Sequence, residues 1–153
     1  MRAILQRVTS ASVVVDRKIV GSIRRGLLVL AGSDAADTVE DLDWLADKIV
    51  KLRLFPGESG DGDARTRNVM EIGGGLLVVS QFTLLASTKK GTKPSWHRAA
   101  KPEVARPLYE VMLQKLGQRL GRPVASGIFG AMMEVSLVND GPVTLLLDSK
   151  LRE

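Results

Sequence analysis

The sequence predicts an α+β fold in which largely antiparallel sheets form a partial barrel carrying two main helices. Three observations predict it. Short apolar runs rich in β-branched residues, separated by turn residues, gather at both ends of the chain. Two stretches with apolar residues at helical spacing lie between and after the middle runs. Two runs, Leu27-Leu28-Val29-Leu30-Ala31 and Leu76-Leu77-Val78-Val79, are apolar without alternation, as in strands covered on both faces. Strands at the ends with helices segregated between them belong to the α+β class.

The elements follow in order. Val13, Val14 and Val15, then Asp16-Arg17-Lys18, then Ile19-Val20-Gly21 read as a strand, a polar turn and a returning strand, an opening hairpin. The run from Leu27 to Gly32, preceded by Gly26, belongs at the middle of a sheet. Thr38 and Asp41 form a capping-box pattern with aspartate in place of the usual glutamate, and Leu42, Leu45, Ile49 and Leu52 recur at helical spacing. The spacing predicts an amphipathic helix over residues 38–52, its apolar stripe packed on a sheet. Residues 56–68 are turn-rich and polar, a surface loop. Within it Asp61-Gly62-Asp63 lacks the remaining spacing and closing glutamate of a calcium loop, so a solvated loop is the better account.

The stretch Leu76 to Leu84, after Gly73-Gly74-Gly75, is a buried strand of five or six residues that ends in Ser80, Gln81 and Thr83 around Phe82. Polar groups at a buried strand end must be satisfied internally or by a ligand, which makes this the first candidate site. Residues 87–98 hold five basic residues and Trp96. They form either a loop that grips phosphates while Trp96 stacks on a base or ribose, or a solvated loop anchored by Trp96; spacing leaves both open. A second helix runs from Pro102 or Glu103 to Leu120, with Gly121 as its stop. Pro107 requires that it begin near Arg106 or kink. Met133, Val135 and Leu137 alternate with Glu134 and Ser136, then Asn139-Asp140-Gly141-Pro142 reads as a turn and Val143 to Leu147 as a returning strand, a closing hairpin.

Composition bounds the function. The 153 residues fit one domain, 1–153, and no apolar run approaches the ~20 residues of a membrane span. The first residues lack the apolar core of a signal peptide, so the expected location is cytoplasmic, without a membrane partner. The absence of cysteine excludes disulfides, thiolate metal sites and a cysteine nucleophile, and a single histidine, His97, excludes a histidine cluster. No metal and no cofactor is expected: no GxGxxG follows a strand, and there is no phosphate loop. A formal charge of +5 fits an anionic partner such as nucleic acid. Ser80 or Thr83 with His97 as base makes a poor serine-type triad, because the hydroxyls do not stand in a strand-to-helix elbow. The residues alone reach a basic α+β domain with a polar strand-end site.

Ser80-Gln81-Phe82-Thr83-Leu84 together with Asn139-Asp140-Gly141-Pro142-Val143-Thr144 resembles the paired signature of the D-aminoacyl-tRNA deacylases. Gln6-Arg7-Val8, Gly26-Leu27-Leu28-Val29-Leu30, Lys93-Pro94-Ser95, Leu108-Tyr109 and residues 127–133 fall in that family's order, so the resemblance runs nearly end to end. Two departures are Asn68-Val69-Met70, where Asn-x-Ser is usual, and Trp96, where phenylalanine is common. The resemblance implies a deacylase-like fold, hydrolysis of the ester joining a D-amino acid to the terminal adenosine of tRNA, glycyl-tRNA as a further substrate, and no cofactor. It also implies a homodimer with active sites at the interface, in which a cis Gly141-Pro142 bond reaches into the other copy's pocket and its carbonyls crowd any L side chain. Catalysis would fall to Ser80, Gln81, Phe82 and Thr83 with help from the tRNA's terminal 2′-hydroxyl. Substrate binding would fall to Gly141 and Pro142, to Arg7 as holder of the cross-dimer loop, and to Phe129, Gly130, Ala131 and Met133 on the adenosine side. No base adjoins Thr83 in the sequence, so the ribose-assisted route, with backbone amides at the developing oxyanion, is favoured over Thr83 as nucleophile. An RNA-binding module without catalysis and a small-molecule esterase using Thr83 are the competing readings.

Overall fold

β1 (Arg2–Val15) turns through Asp16 and Arg17, both at positive φ, into β2 (Lys18–Ile23), the expected opening hairpin. The structure, a computed structural model, describes residues 1–57 and 65–152, so Asp61-Gly62-Asp63 lies outside the described residues. β3 (Gly26–Gly32) returns antiparallel to the first half of β1, pairing Val8 with Gly26 and Arg2 with Gly32. It is the middle strand of the sheet, as its unbroken apolar run predicts, with Leu27, Leu28 and Val29 buried. α1 (Val39–Lys51) then crosses over the sheet, and the Thr38 amide donates to Asp41 Oδ2 at 2.8 Å to close the predicted cap. β4 (Phe55–Pro56) and β5 (Arg65–Arg67) make a small separate pair.

β6 (Gly75–Ser80) comes back parallel to β3, as a strand that follows a helical crossover does. A short 3-10 helix (Phe82–Leu85) follows, then α2 (Pro102–Leu120), then β7 (Ala125–Ser126), which pairs parallel with β6. The antiparallel pairs of β1 thus meet a parallel segment, β3–β6–β7. The far ends of this sheet, β2 and β7, approach so closely that a Cβ on Gly21 would stand 2.5 Å from the Ser126 carbonyl oxygen. Only glycine fits there, and the sheet curls into a nearly closed barrel. One apolar cluster, including Val8, Val13, Leu28 and Leu77, fills its interior; a larger one packs the sheet on α1 and α2. No helix among the described residues is long and apolar enough to cross a membrane.

One expectation is corrected and one open question is resolved. The closing hairpin does not exist: β8 (Glu134–Asp148) is one strand that stays antiparallel to β1 from Glu134 opposite Val14 to Asp148 opposite Arg2. Between the pairs Asn139–Val8 and Thr144–Gln6 the register jumps, so residues 139–143 bulge outward instead of reversing the chain. The reason is the Asn139 side chain, whose Nδ2 donates to the carbonyls of Arg7 at 2.9 Å and Val143 at 3.1 Å, tying the base of the bulge to β1. The second helix runs from Pro102 to Leu120, as its spacing predicts, and of the alternatives left open by Pro107 a start near Arg106 is the one that does not occur. It starts at Pro102 and carries Pro107 in its second turn, where the carbonyl left without an amide donor belongs to exposed Glu103. Gly121, at φ 78, ends it as the sequence predicts.

Candidate active site

The turn after β6 is built by close backbone approach. The Gln81 amide donates to the Ala31 carbonyl at 2.7 Å, prolonging the β3–β6 pairing by one step, and the chain then winds into the 3-10 helix with Leu84 N–H on the Gln81 carbonyl at 3.2 Å. Gly32 makes room for it: a Cβ there would lie 2.6 Å from the Gln81 carbonyl oxygen. In this turn the amides of Phe82 and Thr83 meet no acceptor among the described residues. They are the free donors of a helix start. Gln81 Nε2 donates to Thr83 Oγ1, which fixes both polar side chains. Phe82 is 56% exposed, and Trp96 meets it edge-on at 5.6 Å between ring centres.

Trp96 arrives from the basic loop, which Ser87 and Ser95 close by exchanging backbone hydrogen bonds of 2.7 and 3.0 Å. Lys89, Lys90 and Lys93 remain exposed on it, while Trp96 reaches the cleft. The anchoring role of Trp96 and its place beside a ligand are therefore compatible.

The turn opens onto a cleft of about 760 Å³. One wall is the face of α2 bearing Pro102, Ala105, Tyr109 and Met112; another is the segment from Phe129 to Met133. Tyr109 is buried and donates its hydroxyl to the Val78 carbonyl at 2.9 Å, and burial pushes its pKa up to about 12, so it stands as a neutral wall residue. Its ring tilts against that of Phe129 at 5.8 Å, and the Arg106 guanidinium lies over Phe129 at 4.8 Å. Among the described residues no carboxylate, histidine, lysine or arginine side chain lines the cleft. Among the described residues no cluster of three or more metal-ligating side chains occurs.

The structure brings Ser80, Gln81, Phe82 and Thr83 together with Phe129, Gly130, Ala131 and Met133 around this one cleft. It leaves Arg7, Gly141 and Pro142 out. Arg7, 8% exposed, donates from Nη1 to the Leu54 carbonyl at 2.5 Å and from Nε to the Asp140 carbonyl at 3.2 Å. Gly141, at φ 121, and Pro142, joined to it by a cis bond, are exposed on the bulge. His97 is exposed, near Ser95 Oγ at 3.4 Å, and does not line the cleft. Gly32 and Tyr109 also belong to the cleft, and in the sequence only the lone tyrosine on an otherwise aliphatic helix face signals it.

The sequence pattern of the D-Tyr-tRNA(Tyr) deacylase family matches residues 4–148. A D-aminoacyl-tRNA deacylase of Opitutus terrae is 61% identical over 153 residues, covering 100% of both chains. The corresponding protein of Dechloromonas aromatica is 59% identical over the same span, again with 100% of both chains covered. A solved structure described as c-Myc DNA Unwinding Element Binding Protein superposes with a TM-score of 0.89 at 41% identity, over 97% of this chain and 98% of that one. A probable eukaryotic D-amino acid tRNA deacylase superposes with a TM-score of 0.82 over 95% of this chain and 97% of that one; at 18% identity this is a likeness of fold. With its sequence matched along nearly all its length and its fold shared, the chain belongs to the D-Tyr-tRNA(Tyr) deacylase family, a family of ester hydrolases acting as D-aminoacyl-tRNA deacylases.

Proposed function

We propose that this protein removes D-amino acids, and glycine mischarged on other tRNAs, from the terminal adenosine of tRNA, as a cytoplasmic homodimer whose active sites lie at the interface. The observation that carries the mechanism is the lining of the cleft: among the described residues no carboxylate, histidine or lysine side chain lines it beside the Ser80 to Thr83 turn to serve as a base, and the Met1 ammonium of the lining is bound to Asp37 and Ser149. The substrate's own 2′-hydroxyl then positions the attacking water. Water adds to the ester carbonyl, and the free amides of Phe82 and Thr83 donate to the oxyanion that forms. The intermediate collapses with departure of the adenosine 3′-oxygen, giving the free amino acid and tRNA. Ser80 and Gln81 orient the aminoacyl group; Phe129, Gly130, Ala131 and Met133 receive the adenosine.

Chirality is read by exclusion. Gly141 and Pro142 of one copy enter the cleft of the other, where their backbone carbonyls crowd an L side chain and leave a D side chain free. Glycine has no side chain to exclude. Two features support this reading: the bulge is exposed and tied to Arg7, and the strand that carries it leaves the apolar side chains Val138 and Leu146 exposed on either side of it, at 55% and 65%.

The test is deacylation of matched D-tyrosyl-tRNA and L-tyrosyl-tRNA by chelator-treated protein. Loss of the D-ester alone is expected. Survival of both esters while tRNA binds would make the protein a binding module, and cleavage of both would overturn the role given to Gly141 and Pro142.

A further inference from the structure

We propose that Arg106 binds a backbone phosphate of the substrate, the diester on the 5′ side of the terminal nucleoside. The inference rests on the reading of the cleft as the ester site. Along α2, Pro102, Ala105, Tyr109 and Met112 line the cleft, and Arg106 lies one turn from Pro102 and from Tyr109, at the margin of that face. Its guanidinium is placed by contact: it lies 4.8 Å over the Phe129 ring, and its Nη2 would be 3.9 Å from a Cβ on Gly130. Phe129 is in turn supported by Tyr109, whose hydroxyl is pinned to the Val78 carbonyl. The cation is thus held at the rim, on the side that takes the adenosine.

Its charge is also available. Arg2, Arg7, Arg98 and Arg119 each pair with an aspartate, namely Asp148, Asp140, Asp34 and Asp43. Arg106 makes no ion pair among the described residues, although Glu103 and Glu110 lie one turn away on the same helix. A guanidinium lying over an aromatic ring can still donate its N–H groups to an oxyanion. Among the described residues no charged side chain lines the cleft, so recognition of the substrate's anionic backbone falls to cations at its margin, and Arg106 is the one held against the Phe129 wall.

The experiment compares two D-tyrosyl esters, one of adenosine, which has no phosphate, and one of the trinucleotide CCA. The wild-type protein should prefer the trinucleotide in kcat/KM. Arg106→Gln should shrink that preference roughly five- to tenfold, through KM more than kcat, and reduce the slope of log KM against log salt by about one, as expected for one lost phosphate contact. Arg106→Lys should restore part of the preference. An undiminished preference in Arg106→Gln overturns the proposal, as does an equal loss on both esters with no rescue by lysine, which would make Arg106 a packing support for Phe129. Equilibrium binding of unacylated CCA reads the same contact without turnover. A wild-type protein inactive on both esters would therefore sink the ester reading alone, while a weaker or unchanged CCA affinity in Arg106→Gln would still decide for or against Arg106.

Discussion

Arg7 and Asp140 are joined twice: Arg7 Nε donates to the Asp140 backbone carbonyl at 3.2 Å and stands 3.1 Å from its carboxylate Oδ2. The same guanidinium is moored through Nη1 to the Leu54 carbonyl, so a buried residue of β1 positions the exposed Gly141-Pro142 bulge from within its own chain. A bulge held by the interior of its own chain needs no partner to keep its shape. That suits a role in which it is offered, ready formed, to a second copy.

Replacing this tether should loosen the bulge. Arg7→Met removes the donors to Leu54 and Asp140 and is expected to cost about 2–3 kcal/mol of stability, the range for buried hydrogen bonds to a charged group. Urea denaturation measures that cost. The ratio of D- to L-tyrosyl-tRNA deacylation should fall along with it, and an unchanged ratio in the folded variant would remove Arg7 from the selectivity device.

Gly141→Ala attacks the same element from the other side. At φ 121 an L residue is strained, and its Cβ would lie 2.9 Å from Arg7 Nη2 and from Val143 Cγ2. The expected result is a stability loss of about 1–3 kcal/mol with reduced discrimination between D and L esters. Parallel thermal melts and paired D/L assays separate the two effects.

Gly32→Ala should do the opposite, sparing selectivity and damaging rate. A Cβ there would press on the Gln81 carbonyl oxygen at 2.6 Å and on Leu85 Cδ2 at 2.7 Å, displacing the turn that carries the Phe82 and Thr83 amides. Misplacement of this kind costs on the order of tenfold to a hundredfold in rate. Single-turnover deacylation of the D-ester should show it, with the D/L ratio close to that of the wild type because the bulge is untouched.

Thr83→Val and a terminal 2′-deoxyadenosine distinguish the two chemical routes. Valine keeps the side chain's shape and loses only the hydroxyl that accepts from Gln81, so the rate should fall by less than about a hundredfold. A nucleophile's removal would cost on the order of a million. The 2′-deoxy substrate should be cleaved at no detectable rate by the wild-type protein. Normal turnover of that substrate would rule out ribose assistance.

Acid should weaken the fold through Asp41. Burial by itself would raise this carboxyl, but hydrogen bonds from Lys150, the Thr38 amide, the Ser149 hydroxyl and the Thr38 hydroxyl outweigh it and hold the group well below the usual carboxylate range. A folded pKa below the unfolded one means the stabilisation is complete above the unfolded value, near 4, and is lost as pH falls from there toward the folded value. Asp41→Asn should therefore cost roughly 2 kcal/mol at pH 7 and progressively less from about pH 4 downward. Denaturant midpoints of both proteins across pH 2 to 7 test this, and a gap that does not narrow in acid would count against it.

Local pattern and chemistry determined much of this protein. Hydrophobic runs and their punctuation gave β3 its place at the centre of the sheet, the Thr38–Asp41 pair gave α1 its start, and polar residues at the end of an apolar run marked Ser80 to Thr83. These features depend on residues a few positions apart, which a sequence displays directly. Beyond the opening hairpin, tertiary structure decided which strand each run would pair with. Asn139-Asp140-Gly141-Pro142 has the composition of a reversing turn, yet Asn139 and Arg7, 132 positions apart, turn it into a bulge on one continuous strand. Pro107 falls inside a helix whose start is set by Lys101 and Pro102, and Tyr109 becomes a wall of the cleft because Val78 supplies an acceptor for its hydroxyl. Alternation of side chains tells a strand which face to bury; the contacts that choose its neighbour come from elsewhere in the chain.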